Sequence, residues 1–137
     1  ADFLKFNPVT VYIPSSYRKI FVADTAIEVK ESREIHENIF STGELENIEQ
    51  SLVVRIERGL VVIVGCSHPG VDVILDAATQ FGKPYAILGG LHGFREFEFI
   101  KDLQLICPCH CTKHISEIKS LYPDRYVQGG AGTIIEL

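Results

Sequence analysis

Apolar positions along the chain fall into short blocks that follow either the two-residue period of a strand or the 3.6-residue period of a helix. Residues 9–13 read as a strand stopped by Pro14-Ser15-Ser16, and Phe3, Leu4 and Phe6 before Asn7-Pro8 read as the end of a helix begun upstream. Residues 20–23 and 26–30 read as short strands around Asp24-Thr25, and a charged stretch follows at 31–37. The clearest hairpin pairs residues 51–56 with 60–64 across Glu57-Arg58-Gly59, since β-branched runs flank a turn that ends in glycine. Residues 60–64 carry no polar alternation, which predicts a strand buried on both faces.

From Val71 the apolar residues Val71, Ile74, Leu75, Ala78 and Phe81 take the spacing of an amphipathic helix that ends at Gly82. Residues 85–88 read as a strand, 95–103 as a short helix and 105–108 as a further strand. Thr112 opens a helix with Ile115, Ile118 and Leu121 inward, which Pro123 stops. Tyr126-Val127 and residues 133–135 read as a closing strand pair around Gly129-Gly130-Ala131-Gly132, where a turn is favoured over a phosphate cradle because no helix follows. The second half alternates strand and helix, so the expected class is α/β (α+β) with a mixed sheet and flanking helices.

Composition bounds what such a fold can serve. A chain of 137 residues has room for one domain, 1–137, since domains hold about 100 to 200 residues. Its 46% hydrophobic and 23% charged residues suit a packed core rather than disorder. Thirteen Lys+Arg against 18 Asp+Glu give a net charge of −5 without a basic run, which argues against nucleic acid or an anionic bilayer as partner. No apolar run approaches the about 20 residues of a membrane helix, and no leader precedes Ala1, so a cytoplasmic location is expected. The four cysteines, at 66, 107, 109 and 111, are too crowded to staple distant segments and read as reduced thiols. Methionine is absent even from position 1, as in a product that lost its initiator or a piece of something longer.

Three histidines stand just past three strand ends: His68 after residues 60–64, His92 after 85–88 and His110 after 105–108. Ligands of open layered sheets gather beyond the carboxyl ends of strands, so the three imidazoles are candidates for one metal centre. Neutral imidazole is a good donor to zinc or iron, and three ligands with an open position suit hydrolytic chemistry. Gly65-Cys66-Ser67-His68-Pro69-Gly70 is a tight strand-to-helix turn of the kind that points side chains into a cleft. Asp72, in the first helical turn, suits the helix dipole. Cys66 is either a thiolate ligand or a small buried filler, with the filler favoured.

Cys107-Pro108-Cys109-His110-Cys111 lacks the two-residue gap through which a turn chelates one ion with two thiolates. In extended chain its sulfurs share one face and His110 takes the other, so His110 reads as a ligand and the cysteines as packing, with Cys109 or Cys111 as a metal ligand the less favoured alternative. His114 reads as the partner of solvent or of an acidic side chain, and His36 as a solvated strand residue. No nucleophile elbow, phosphate loop or dinucleotide fingerprint is present.

Thr42-Gly43-Glu44, Glu49 to Val54, Gly59 to Gly70, Gly89-Gly90-Leu91-His92 and Cys109-His110-Cys111-Thr112, in this order, resemble the metallo-β-lactamase superfamily, on the side of its dihydropterin-linked ribofuranosylaminobenzene 5′-phosphate synthase branch. The resemblance implies half of an αββα sandwich, its C-terminal half, because the superfamily's His-x-His-x-Asp-His cluster is absent from this sequence. It implies His68 and His110 as metal ligands and His92 as ligand or substrate contact. The bridging aspartate has no clear counterpart, Cys66 and Glu49 being the candidates, and Gly93 and Lys113 depart from the branch.

The cofactor implied is zinc, or another divalent transition metal such as iron or manganese. The implied activity is that of a metal-dependent hydrolase or synthase acting on a pterin-related or phosphate-containing small molecule, with no catalytic base identified. A half sandwich further implies a missing N-terminal half or a partner subunit, in a homo- or hetero-oligomer. The alternative is a degenerate subunit or interaction module without catalysis.

Overall fold

The computed structural model describes residues 9–19 and 25–137. The helix end expected before Pro8 and the strand expected at 20–23 lie outside them. Among the described residues, eight strands and two α-helices follow in chain order: β1 (Val11–Pro14), β2 (Ala26–Val29), β3 (Arg33–His36), β4 (Ile39–Ser41), β5 (Leu52–Ile56), β6 (Gly59–Val64), α1 (Val71–Thr79), β7 (Pro84–Gly90), β8 (Leu105–Cys109) and α2 (Ile115–Leu121). Strands β3 to β8 form one six-stranded sheet in sequence order, and β1 pairs with β2 in a separate parallel pair.

The sheet changes character along its width. From β3 to β6 neighbours are antiparallel, as short connections such as Glu57-Arg58 require. From β6 to β8 they are parallel, because α1 and the segment after β7 return the chain to the same starting edge. The mixed α+β sheet expected from the pattern is the one observed. Its parallel part has a functional consequence: β6, β7 and β8 all end on one rim, with Val64 opposite Gly89 and Gly90 opposite Cys109.

Alternation within the strands sorts the core. Phe40, Val53, Leu60, Val62, Val64, Ile87 and Ile106 face the helices and join Ile74, Leu75, Ala78 and Ile118 in the main cluster. Val61, Ala86, Leu105 and Cys107 face the other way, in a smaller cluster. Leu52 and Ile63, register partners on that second face, line a cleft of about 560 Å³ with Tyr12 and Ile35, and Ile63 is 39% exposed. Residues 60–64 are therefore buried throughout on the helix side and only in part on the other, which corrects the expectation of burial on both faces.

Three further expectations give way. The helix expected at 95–103 is a 3-10 turn, Phe97–Ile100. Phe94, Phe97, Ile100 and Leu103 all pack on the core at steps of three, the period of a 3-10 helix rather than of an α-helix. Leu121 is 56% exposed, because α2 starts at Ile115 and turns Ile118 and Tyr122 inward instead. Residues 133–135 form no strand; Tyr126 makes one isolated parallel bridge to Ile106, and Ile134 stands in solvent.

Candidate metal centre at the strand-end rim

Each of the three strand ends turns through a residue in the left-handed region: Ser67 at φ 56°, His92 at φ 44° and His110 at φ 50°. Side chains with a Cβ avoid this region, and strain of this kind persists only where the surroundings hold it. Here hydrogen bonds lace the three turns together. Gly90 N–H donates to Gly65 O at 3.0 Å, and the buried Ser67 hydroxyl donates to Gly90 O at 2.7 Å. Leu91 N–H donates to Thr112 Oγ1 at 2.9 Å, Thr112 Oγ1 donates to Cys109 O at 2.8 Å, and Lys113 N–H donates to His92 O at 2.8 Å.

The laced rim holds two groups of donors. In the first, the imidazoles of His68 and His92 stand with ring centroids 5.3 Å apart and line a cleft of about 430 Å³ with Ser67, Asp72, Leu91 and Glu96. Glu49, at the approach to β5, accepts from Ser67 N–H at 3.0 Å through one oxygen, and its other oxygen lies 2.7 Å from His68 Nδ1. With its proton on Nδ1 toward the carboxylate, His68 keeps the Nε2 lone pair free for an electrophile.

The second group is Cys66, His110 and Cys111, whose donor atoms all lie within 4.8 Å of one another. Here the alternation expected through residues 107–111 fails. Strand β8 ends at Cys109, and the left-handed His110 redirects the chain so that Cys111 comes to Cys66 instead of staying with Cys107. Cys66 and Cys111 are half-buried, and a hydrogen bond that the Cys66 thiol makes to the Cys111 sulfur holds it above its ordinary range, with desolvation acting the same way. Among the described residues no set formed by His68, His92 and His110 alone brings its donors within that distance. The three strand-end histidines share a rim but divide between two groups.

Gly90 makes the second group possible. A Cβ there would lie 2.5 Å from Gly65 O, 2.7 Å from Cys111 Sγ and 3.3 Å from the Cys66 Cα. Cys107 is buried on the second sheet face, and burial pushes its thiol up. Gly129 packs against Cys107 and Cys109, so the glycine run caps β8. His114 has both ring nitrogens engaged, by Arg95 Nε and by Glu117 Oε1 at 3.0 Å each, and the imidazole holds the Glu117 carboxyl below the usual range. His36 is an exposed strand residue. Sequence reasoning missed the pairing of Cys66 with Cys111, and it named Glu49 as a candidate bridging ligand, whereas the structure sets Glu49 as an anchor of the Ser67 amide and the His68 imidazole.

No family model matches the chain. Over 83 residues it is 34% identical to the 7,8-dihydropterin-6-methyl-4-(β-D-ribofuranosyl)-aminobenzene-5′-phosphate synthase of Methanocaldococcus jannaschii, a match covering 50% of this chain and 28% of that protein. Its fold matches the crystal structure of a metal-dependent hydrolase of the β-lactamase superfamily with a TM-score of 0.70 and 28% identity, over 82% of this chain and 59% of the other. The chain thus spans less than two thirds of either relative. In fold, and at 28% identity, the chain is similar to this hydrolase of the β-lactamase superfamily, and its mixed six-stranded sheet with helices on one face agrees with a half of such a fold.

Proposed function

We propose that this chain supplies the second-half ligands of a metal-dependent hydrolase or synthase, with His68, His92 and His110 as the imidazole donors. The observation that carries the reading is the lacing of three left-handed strand-end turns into one rim bearing all three histidines. The donor set suits a borderline transition cation such as zinc, iron or manganese. A bound divalent cation would supply Lewis acidity and a lowered water pKa of about 7. The chain's own residues do the rest. Glu49 orients His68, Ser67 and Thr112 fix the turns, and the cleft lined by Asp72 and Glu96 receives a small molecule.

The activity of the synthase relative favours a pterin-related or phosphate-containing substrate. The open sheet face along Leu52 and Ile63 is the seat we assign to a complementary half, from the same polypeptide or from a partner subunit. Among the described residues no helix is long and apolar enough to cross a membrane.

Elemental analysis of the protein as its gene encodes it tests the reading. We expect stoichiometric metal that the double variant His68→Ala/His110→Ala loses. Undiminished stoichiometric metal in that variant rejects the histidines' role, and a metal-free protein favours the non-catalytic module.

A further inference from the structure

We propose that Cys66, His110 and Cys111 form a thiolate-bearing cation site selective for a thiophilic ion of the zinc class. It rests on the reading above for His110 and needs neither His68 nor His92. Three observations support it. The donor atoms already lie within 4.8 Å of one another, against about 3.8 Å between sulfurs around a tetrahedral ion with Zn–S near 2.3 Å, so side-chain rotation of roughly 1 Å closes the set. The strand between the two cysteines carries a glycine, Gly90, where a Cβ would lie 2.7 Å from Cys111 Sγ and 3.3 Å from the Cys66 Cα. The chain adopts a strained left-handed residue at His110, which sets that imidazole beside both sulfurs.

Chemistry then decides the cation. Two thiolates and one imidazole exclude magnesium and calcium, which take oxygen ligands, and favour zinc over the harder manganese. On binding, both thiols release their protons to solvent, two S–metal bonds form, and the metal's oxidation state is unchanged. Three protein donors leave a fourth position open, to water, a substrate atom or a residue of the complementary half. The other two cysteines stay out of this set: Cys107 is buried on the second sheet face, and Gly129 lies against Cys107 and Cys109.

Cobalt(II) is the probe, titrated into the full chain under a non-chelating reductant. We expect a near-ultraviolet thiolate-to-cobalt charge-transfer band that Cys66→Ser and Cys111→Ser each weaken and the double variant abolishes. It should persist in His68→Ala/His92→Ala and in Cys107→Ser. Affinity should fall in either single variant by at least the about 10- to 100-fold that loss of an outer-sphere partner costs. A fold-independent check uses the unsubstituted chain: stoichiometric zinc should slow alkylation of Cys66 and Cys111, located by peptide mass, and leave Cys109 unprotected.

Cobalt binding without a thiolate band, lost in His68→Ala/His92→Ala, overturns this site and leaves the imidazole reading standing. A band that survives the Cys66→Ser/Cys111→Ser variant assigns the thiolates to Cys107 or Cys109 and overturns it too. A Cys66–Cys111 disulfide in freshly isolated protein, with zinc-independent alkylation after reduction, also overturns it. Absence of any cobalt binding overturns both proposals.

Discussion

The two faces of the six-stranded sheet solve the same packing problem differently. On one, α1 and α2 bring Ile74, Leu75, Ala78 and Ile118 onto Leu60, Val62, Ile87 and Ile106, and most of these side chains are fully buried. On the other, Val61, Ala86, Leu105 and Cys107 are covered along the parallel strands, in part by Val127 and Ile135 near the C-terminus. Toward β5 that cover gives way to the cleft at Leu52 and Ile63. One strand, β6, contributes to both: Val62 has no exposed surface and Ile63, the next residue, is 39% exposed. The difference teaches where stability resides and where association would add to it. The helix face is a finished core, whereas part of the second face keeps apolar surface of the kind that marks interaction sites.

The comparison breaks most readily at its finished side. Ile74→Ala in α1 empties a site with no exposure and should destabilise by about 2–5 kcal/mol, read by chemical denaturation. A loss below about 1 kcal/mol would mean that α1 is not the cover assigned to it. Next comes the rim shared by both faces. Gly90→Ala forces a methyl against Gly65 O and Cys111 Sγ and should cost about 1–3 kcal/mol by overpacking, with a matching fall in metal affinity. An unchanged midpoint would show that the β6 and β8 turns yield freely.

The smallest effect belongs to the open side. Ile63→Ser should change the stability of the isolated chain by no more than about 0.5 kcal/mol. It should nevertheless weaken any self-association or partner binding seen by analytical ultracentrifugation. A multi-kcal/mol destabilisation would place Ile63 in the core after all and remove the contrast between the faces.

Much of this was readable in the residues. The β5–β6 hairpin followed from β-branched runs around Glu57-Arg58-Gly59, and α1 from the spacing of Val71, Ile74, Leu75 and Ala78, because local pattern and tertiary burial agree there. The strand-end positions of His68, His92 and His110 followed from the ends of β6, β7 and β8. What pattern could not supply was the direction of the chain after those ends. Strand alternation put His110 opposite Cys111, and one left-handed residue undid it. Nor did the pattern distinguish a period of three from one of 3.6 across Phe94, Phe97 and Ile100, or show that a single bridge at Tyr126 would stand where a strand pair was expected.

The cross-laced turns carry a further consequence for timescales of opening. Gly90, Leu91 and Lys113 lie at or beyond the ends of strands, where amides ordinarily trade hydrogen with solvent quickly. Each donates instead to a neighbouring turn, to Gly65 O, Thr112 Oγ1 and His92 O respectively. Their exchange should therefore be slow and concerted, like that of a cooperative unit rather than of surface loops.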